Sequence, residues 1–306
     1  MTAKLTTVDH IYPTTNTSYQ HMEYHLEEDT QALWCYMTPK PRPCFSDALL
    51  DDMVSVQKMI ENKCDPAFTP ANEHLHYVVL GSKTPGVFSL GGDLELFARL
   101  IEAGDREALR TYAIKSIEVL YHHSVNYNRP MTTIALLEGD AIGAGFETAL
   151  ACDVIVAERH VKMGFPEVLF NLFPGMGAYS FLARRLDPAK IEKMILTGTI
   201  YSAEEMYEMG LVDILVDEGE GEAAVRQYIR KAKRSRNARE AVYRVRHRVN
   251  PVTFQELADI VEIWVDAAMQ LEAINLRTMQ RLIRAQEKKI ASDSEMTDGQ
   301  AVVGVG

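Results

Sequence analysis

The sequence has few cysteines, and they are not arranged in pairs. Only four occur in 306 residues, namely Cys35, Cys44, Cys64 and Cys152. No two of them show the close C-x-x-C spacing of redox and metal-binding motifs. We therefore expect buried free thiols in a reducing cytoplasm and no disulfide framework.

Long apolar runs and an excess of positive charge are also missing. No uninterrupted apolar segment approaches the roughly 20 residues of a membrane span. The N-terminus lacks a basic stretch followed by an apolar one, so we expect no secretion signal and no membrane insertion. The net charge is −11, whereas nucleic-acid binding requires a basic surface. These absences indicate a cytoplasmic protein that binds no nucleic acid.

What the sequence does contain is the pattern of a globular α/β protein. It is 47% hydrophobic and 25% charged, which is ordinary for that class. Strands are predicted at Leu33–Met37, Tyr77–Leu80, Thr132–Leu137, Val154–Ala157 and Leu211–Val216, and helices at Asp47–Glu61, Leu94–Ala103 and Arg106–Tyr121. Ser202 and Glu205 form a capping box that predicts a further helix, closed by Gly210. This alternation favours an α/β fold with substantial parallel pairing.

Four segments of different composition follow one another along the chain. Residues 1–20 are polar and rich in threonine, so we expect a flexible N-terminus. Residues 21–217 hold the alternating pattern and are predicted to form the catalytic core. Residues 218–290 have an almost wholly helical pattern, and residues 291–306 are predicted to be a disordered tail.

The first segment with chemical content runs from Glu138 to Glu147. A predicted buried strand leads into a turn of small residues around Gly143 and Ala144, and a helix is predicted to begin near Gly145. Free N–H groups at a helix N-terminus suit a developing oxyanion. A tight turn whose small residues serve only packing explains the same pattern.

A second glycine-rich segment lies upstream. Gly91 and Gly92 stand where an extended run becomes a helix, and Asp93 is placed to cap that helix. An oxyanion hole needs two N–H donors from separate loops. The two segments together are therefore a more specific signal than either one alone.

The third segment covers residues 163–179. Pro166 stiffens the backbone before Glu167, and Gly175 and Met176 follow in another turn. Two carboxylates that converge on one small molecule can share proton transfer, with one as base and the other as acid. A solvent-exposed glutamate after a turn proline is the alternative interpretation of Glu167.

In this order, the three segments resemble the crotonase (enoyl-CoA hydratase/isomerase) superfamily over roughly residues 75–217. The resemblance implies an α/β fold built as a spiral of strand-strand-helix units with a helical C-terminal region. It also implies that Glu147 and Glu167 are the catalytic pair, and that the N–H groups of Gly92 and Ala144 hold a thioester carbonyl. Ala144 replaces a usual glycine, and its methyl group affects the local fit.

A narrower resemblance is to bacterial diffusible-signal-factor synthases, which are crotonase relatives that make cis-2-unsaturated fatty acids for quorum sensing. It rests on the Arg42–Phe45 segment, on residues 164–180 and on the long C-terminal helices. It implies that a medium-chain 3-hydroxyacyl group on acyl carrier protein is dehydrated and that the thioester is then hydrolysed. Neither a metal nor a redox cofactor is expected, because proton chemistry of this type needs neither, and the substrate carries its own phosphopantetheine thioester.

Two other functions fit the wider resemblance. One is an ordinary enoyl-CoA hydratase or isomerase of fatty-acid metabolism, and the other is a non-catalytic interaction protein with the same fold. Retention of both glutamates argues against the second. The sequence assigns neither glutamate specifically to the acid or to the base role.

The helical region adds candidate contacts with substrate and partners. A basic run that includes Arg230, Lys231, Lys233 and Arg234 would suit an acidic carrier protein, although a solvated helix face has the same pattern. Trp264 lies in an apolar stripe that predicts helix or subunit packing, and the narrower resemblance implies a place in an acyl tunnel. The predicted substrate contacts are Gly91, Gly143, Leu172, Gly175, Met176 and Trp264. The resemblance further implies a homo-oligomer, as a trimer or a dimer of trimers, and a sensor histidine kinase as a possible regulatory partner.

Overall fold

The computed structural model describes residues 19–286, except for residues 66, 68 and 71–73. Most of the predicted flexible N-terminus lies outside the described residues. The whole of the predicted tail, residues 291–306, lies outside them as well.

A six-stranded sheet forms the centre of the fold. Its strands are β1 (Met22–Glu27), β2 (Ala32–Met37), β3 (Tyr77–Ser82), β5 (Thr132–Leu137), β7 (Val154–Glu158) and β10 (Ile214–Val216), in the spatial order β1-β2-β3-β5-β7-β10. All neighbours in this sheet are parallel except β1 and β2. The predicted parallel α/β architecture is therefore confirmed.

A second sheet has four short strands. They are β4 (Val87–Ser89), β6 (Asp140–Ile142), β8 (Lys162–Gly164) and β9 (Ile200–Ser202), in the order β4-β6-β8-β9. Strands β4, β6 and β8 each follow one strand of the main sheet and precede a helical segment, which is the expected strand-strand-helix repeat. No strand was predicted at Asp140–Ile142, which pairs with β4 on one side and β8 on the other.

Helices surround the two sheets. They are α1 (Asp47–Lys63), α2 (Leu94–Glu102), α3 (Arg106–Ser124), α4 (Ala144–Leu150), α5 (Ala178–Leu182), α6 (Pro188–Thr197), α7 (Ala203–Glu208), α8 (Gly221–Ala232), α9 (Arg236–Val249), α10 (Phe254–Ala268) and a last helix over residues 273–286. The Ser202–Glu205 capping box opens α7 as predicted. The predicted strand at 211–216 begins too early, because the amides of Leu211 and Val212 instead donate to the carbonyl oxygen of Met206 in α7.

The main sheet separates two hydrophobic cores. Leu33, Cys35 and Met37 point to the face that packs against α1 and α3, whereas Trp34 and Tyr36 point to the opposite face. That opposite face is covered by the apolar residues Val225, Ile229 and Ala232 of α8. Helix α8 thus completes the core, although the sequence pattern changes where this helix begins.

Two further predictions concern the cysteines and the membrane. All four cysteines are buried and free, as predicted. No helix within the described ranges is both long and apolar enough to cross a membrane.

Candidate active site

A cavity lies on the α3 side of the main sheet. The cavity brings together most of the predicted site residues with aromatic and aliphatic side chains. Its lining consists of Gly92, Phe97, Tyr112, Ala113, Ala144, Glu147, Glu167, Phe170, Leu172, Phe173, Pro174, Gly175, Met176 and Trp264.

Two loops present backbone amides to this cavity. Gly91 and Gly143 do not line the cavity, but they let the loops approach each other, because a side-chain carbon added to Gly91 would lie 3.3 Å from the nitrogen of Ala144. Gly91 and Gly143 also adopt φ angles of +98° and +55°, which favour glycine. Among the described residues, the amides of Gly92 and Ala144 have no hydrogen-bond partner. The two N–H groups are therefore available to a carbonyl oxygen.

Glu147 accepts hydrogen bonds from two backbone N–H groups. It lies in the first turn of α4 and is only 1% exposed. The amides of Met176 and Ala178 donate to its Oε1 at 2.8 and 2.9 Å. Burial raises the pKa of Glu147 to about 7, and these two hydrogen bonds act in the opposite direction.

Glu167 has a different environment. It opens a short 3₁₀ helix directly after Pro166, and its Oε2 is buried without a hydrogen-bond partner among the described residues. A side-chain carbon on Gly143 would lie 2.4 Å from its Oε1, so this carboxyl group lies against the Gly143 loop. Burial, and after it the negative charge of Glu147, raise the pKa of Glu167 to about 8.

These two environments push the carboxyl groups toward different protonation states. The two N–H donors favour the charged form of Glu147, and the negative charge of Glu147 disfavours ionisation of Glu167, so we expect a proton shared by the pair to lie on Glu167. A pair with one proton can supply both an acid and a base. The structure thus places acid–base chemistry beside two free amides.

The pair predicts a bell-shaped dependence of turnover on pH. Below about pH 7 both carboxyl groups are protonated and no base remains, while above about pH 8 both are ionised and no acid remains. We expect turnover of an acyl thioester to be highest between these limits. Steady-state rates from pH 5 to pH 10 check this, and a rate that stays constant above pH 9 would contradict it.

Aromatic side chains close one side of the cavity. Phe97 packs edge-on against Tyr112 and Trp264, with ring centroids 5.2 Å apart in both pairs. Trp264 comes from α10 and lies against Gly175, where an added side-chain carbon would be 2.3 Å from its ring. Trp264 therefore lines the cavity, and its contact with an acyl chain stays a prediction. Phe97, Tyr112 and Phe173 were not predicted, because in the sequence they resemble ordinary core residues.

The predicted carrier-docking residues lie away from the cavity. Arg230 and Lys231 end α8, and Lys233 and Arg234 follow in a short 3₁₀ turn. All four are exposed, but α8 covers the face of the main sheet opposite to the cavity. Their role in docking stays a prediction, and a carrier bound there would have to reach the cavity around an edge of the sheet.

Metal binding was not expected. Within the part of the chain that the structure describes, no group of three or more His, Cys, Asp or Glu side chains is placed to hold a metal ion. The expectation that no metal or resident cofactor is needed stays a prediction.

The spiral of strand-strand-helix units, with two carboxyl groups and two free amides at one cavity, defines a protein of the crotonase class. The chain belongs to the enoyl-CoA hydratase/isomerase family, whose sequence model matches residues 36–290.

Individual relatives agree with this assignment. Mitochondrial methylglutaconyl-CoA hydratase from Rattus norvegicus is 30% identical over 160 residues, which cover 51% of this chain and 48% of the rat enzyme. The chain thus spans about half the length of that relative. Enoyl-CoA hydratase from Bacillus halodurans has a TM-score of 0.73 over 85% of this chain and 99% of its own, and at 20% identity it shows the fold alone. DspI from Pseudomonas aeruginosa is 25% identical, with a TM-score of 0.63 over 83% of this chain and 91% of its own.

Proposed function

We propose that this chain removes water from a medium-chain 3-hydroxyacyl group on acyl carrier protein and then hydrolyses the thioester. The product is a cis-2-unsaturated fatty acid that serves as a quorum-sensing signal. The observation that carries the proposal is the placement of the Glu147 and Glu167 carboxyl groups beside two free amides in a mostly apolar cavity.

The amides act on the thioester carbonyl. The N–H groups of Gly92 and Ala144 donate to its oxygen, and these hydrogen bonds strengthen as negative charge moves onto the oxygen. The enolate formed by loss of the α-proton is stabilised in the same way. This stabilisation makes the α-carbon acidic enough for a carboxylate to act as the base.

The position of each carboxyl group suggests its role in dehydration. Glu167 lies against Gly143, next to the Ala144 amide, and so beside the carbon that follows the carbonyl. We therefore assign removal of the α-proton to Glu167, and protonation of the departing hydroxyl to Glu147. This step starts with the proton on Glu147, whereas the two N–H donors at Glu147 and the unpartnered Oε2 of Glu167 favour the proton on Glu167.

Hydrolysis of the thioester would use the same groups. A water molecule attacks the carbonyl carbon while the two amides hold the oxyanion, and a carboxylate takes the proton from that water. The carbon–sulfur bond then breaks, and the sulfur leaves as the thiol of the carrier arm with the proton. Removal of the enoyl thioester in this second step keeps the first step from reversing.

Partners and assembly belong to the same proposal. An acidic carrier protein and a sensor histidine kinase are the proposed partners, and the exposed basic run at Arg230–Arg234 supports a contact with the carrier. A homo-oligomer, as a trimer or a dimer of trimers in the cytoplasm, is supported by α9, in which no residue is buried. Val242, Val245 and Val249 on this helix are 62%, 60% and 78% exposed.

A second candidate function is that of an enoyl-CoA hydratase. A charge on Glu147, which accepts two N–H groups, and a proton on Glu167, whose Oε2 has no partner among the described residues, form the starting state for adding water to an enoyl thioester. In that direction Glu147 takes a proton from water and Glu167 gives its proton to the α-carbon.

Substrate preference separates the two candidates. The purified protein is given 3-hydroxydodecanoyl carrier protein and crotonyl-CoA in parallel, and the products are followed by mass spectrometry, with the double variant E147Q/E167Q as the background control. The proposal predicts free cis-2-dodecenoic acid from the carrier-bound substrate. Rapid hydration of crotonyl-CoA with the carrier substrate left unchanged would contradict it.

A further inference from the structure

Tyr112 connects the Gly92 loop to the neighbouring turn of the chain. It lies in the middle of α3 and is 3% exposed. Its hydroxyl donates to the carbonyl oxygen of Phe45 at 2.5 Å and accepts from the amide of Asp93 at 3.3 Å. A single hydroxyl group therefore joins the turn at Phe45 to the residue that follows Gly92.

Phe45 orients the peptide bond between Gly91 and Gly92, which carries the Gly92 N–H. The amide of Phe45 donates to the carbonyl oxygen of Gly91 at 2.8 Å, and Phe45 and Gly92 form an isolated parallel bridge. In a trans peptide the C=O and N–H bonds point in opposite directions. Because the Gly91 carbonyl points toward Phe45, the Gly92 N–H points away from Phe45, and Gly92 lines the cavity.

The ring of Tyr112 supports the same loop through Phe97. The two rings pack edge-to-face, and a side-chain carbon added to Gly92 would lie 2.6 Å from Cζ of Phe97. Phe97 is thus packed directly against Gly92. The loop is held by the hydroxyl of Tyr112 on one side and by this aromatic pair on the other.

The second amide of the site does not depend on a side chain in this way. The carbonyl oxygen of Gly143, in the same peptide as the Ala144 N–H, accepts from the amide of Glu147 at 3.0 Å. Helix α4 itself therefore orients the Ala144 N–H. The Gly92 amide, in contrast, is oriented through the contacts of its loop with Phe45 and Tyr112.

We infer that Tyr112 is a positioning residue for the oxyanion hole, and that its hydroxyl keeps the Gly92 N–H directed at the thioester carbonyl. The catalytic part of this inference rests on the proposed thioester chemistry. The structural part, the ordering of residues 91–93, stands independently of it.

The test is Tyr112→Phe, which removes the hydroxyl and leaves the ring in the cavity. Hydrogen bonds to the carbonyl oxygen act mainly in the transition state, so we expect kcat to fall at least about tenfold while KM stays within about twofold. The pH values at which turnover declines should stay the same, because the Tyr112 hydroxyl contacts neither glutamate. Amide hydrogen exchange at residues 91–93, measured by mass spectrometry or NMR, should become faster.

Tyr127→Phe is the matched control. Tyr127 is also buried, at 2% exposure, and its hydroxyl bonds Nε2 of His123 at 3.2 Å, but it does not line the cavity. This variant should lose a similar amount of thermal stability without a change in kcat or in exchange at residues 91–93.

The inference is overturned if Tyr112→Phe keeps kcat within twofold of the wild type, or if both tyrosine variants lose kcat equally. It is also overturned if exchange at residues 91–93 is unchanged. If the wild type turns over neither thioester, the proposed function fails, and the exchange result alone then decides whether Tyr112 orders the Gly92 loop.

Discussion

Replacing Glu147 or Glu167 by glutamine is expected to lower turnover by at least about 10²-fold. Glutamine has nearly the same shape as glutamate but cannot give or take the proton. Each variant leaves one member of the pair without its partner, since the chemistry needs an acid and a base together. Steady-state turnover of an acyl thioester measures the effect, and circular dichroism checks that the fold is intact.

Glu158→Gln is a matched control for the Glu147 variant. Glu158 is 2% exposed, and its Oε1 accepts backbone N–H groups of Gly219 and Gly221 at 2.9 and 3.0 Å, much as Glu147 accepts two N–H groups. It does not line the cavity, so its replacement should cost stability and leave turnover unchanged. Near-normal turnover in both catalytic-pair variants would rule out the proposed acid–base mechanism.

The Gly143→Ala variant is expected to lose turnover on a similar scale, about 10²-fold. The added carbon would lie 2.4 Å from Oε1 of Glu167, so the carboxyl group or the loop has to move. The same movement displaces the neighbouring Ala144 amide, and small displacements of catalytic groups can cost about 10²-fold in rate. The measurement is kcat together with the midpoint of thermal unfolding.

The Gly104→Ala variant is a control that separates the effect of the contact with Glu167 from the effect of an unfavourable φ angle. Gly104 has a φ angle of +68°, close to the +55° of Gly143, but nothing lies within 4 Å of an added side-chain carbon. Both variants should lose folding stability, because alanine rarely adopts the positive φ angles of these two positions. Only Gly143→Ala should lose turnover, and equal losses in the two variants would show that the contact with Glu167 is unimportant.

The parts of the fold that could be predicted from the sequence are the strands and helices with long runs or periodic patterns of apolar residues. The strands at residues 77–82, 132–137 and 154–158 each contain four consecutive apolar residues, and all three were predicted. The second sheet was missed, because each of its strands has only three residues. Such strands are specified by pairing with their neighbours and not by their own composition.

The sequence predicts the catalytic side chains of the candidate site but not the residues that hold them in position. Glu147 and Glu167 could be found because each stands beside glycine or proline in a short, distinctive segment. The N–H donors of Met176 and Ala178 are about thirty positions from Glu147, and nothing in their side chains indicates this contact. Tyr112 is likewise hidden, since within α3 it has the spacing of an ordinary core residue.

The basic run is a clear signal in the sequence, but the signal does not predict where these residues lie relative to the cavity. Arg230 and Lys231 stand out in an acidic protein, yet the face that α8 covers is decided by its apolar residues Val225 and Ile229. Charge patterns predict an exposed surface well. They do not predict the distance from that surface to the active site.

The most direct test of the acid–base pair is exchange of the α-proton in deuterated water. A saturated acyl thioester, which has no hydroxyl to lose, is incubated with the protein, and uptake of deuterium at the α-carbon is followed by mass spectrometry. Glu167 as base, next to the oxyanion hole, predicts exchange with the wild type and with Glu147→Gln, and none with Glu167→Gln. Absence of exchange in the wild type, or exchange that persists in Glu167→Gln, would contradict the proposed site.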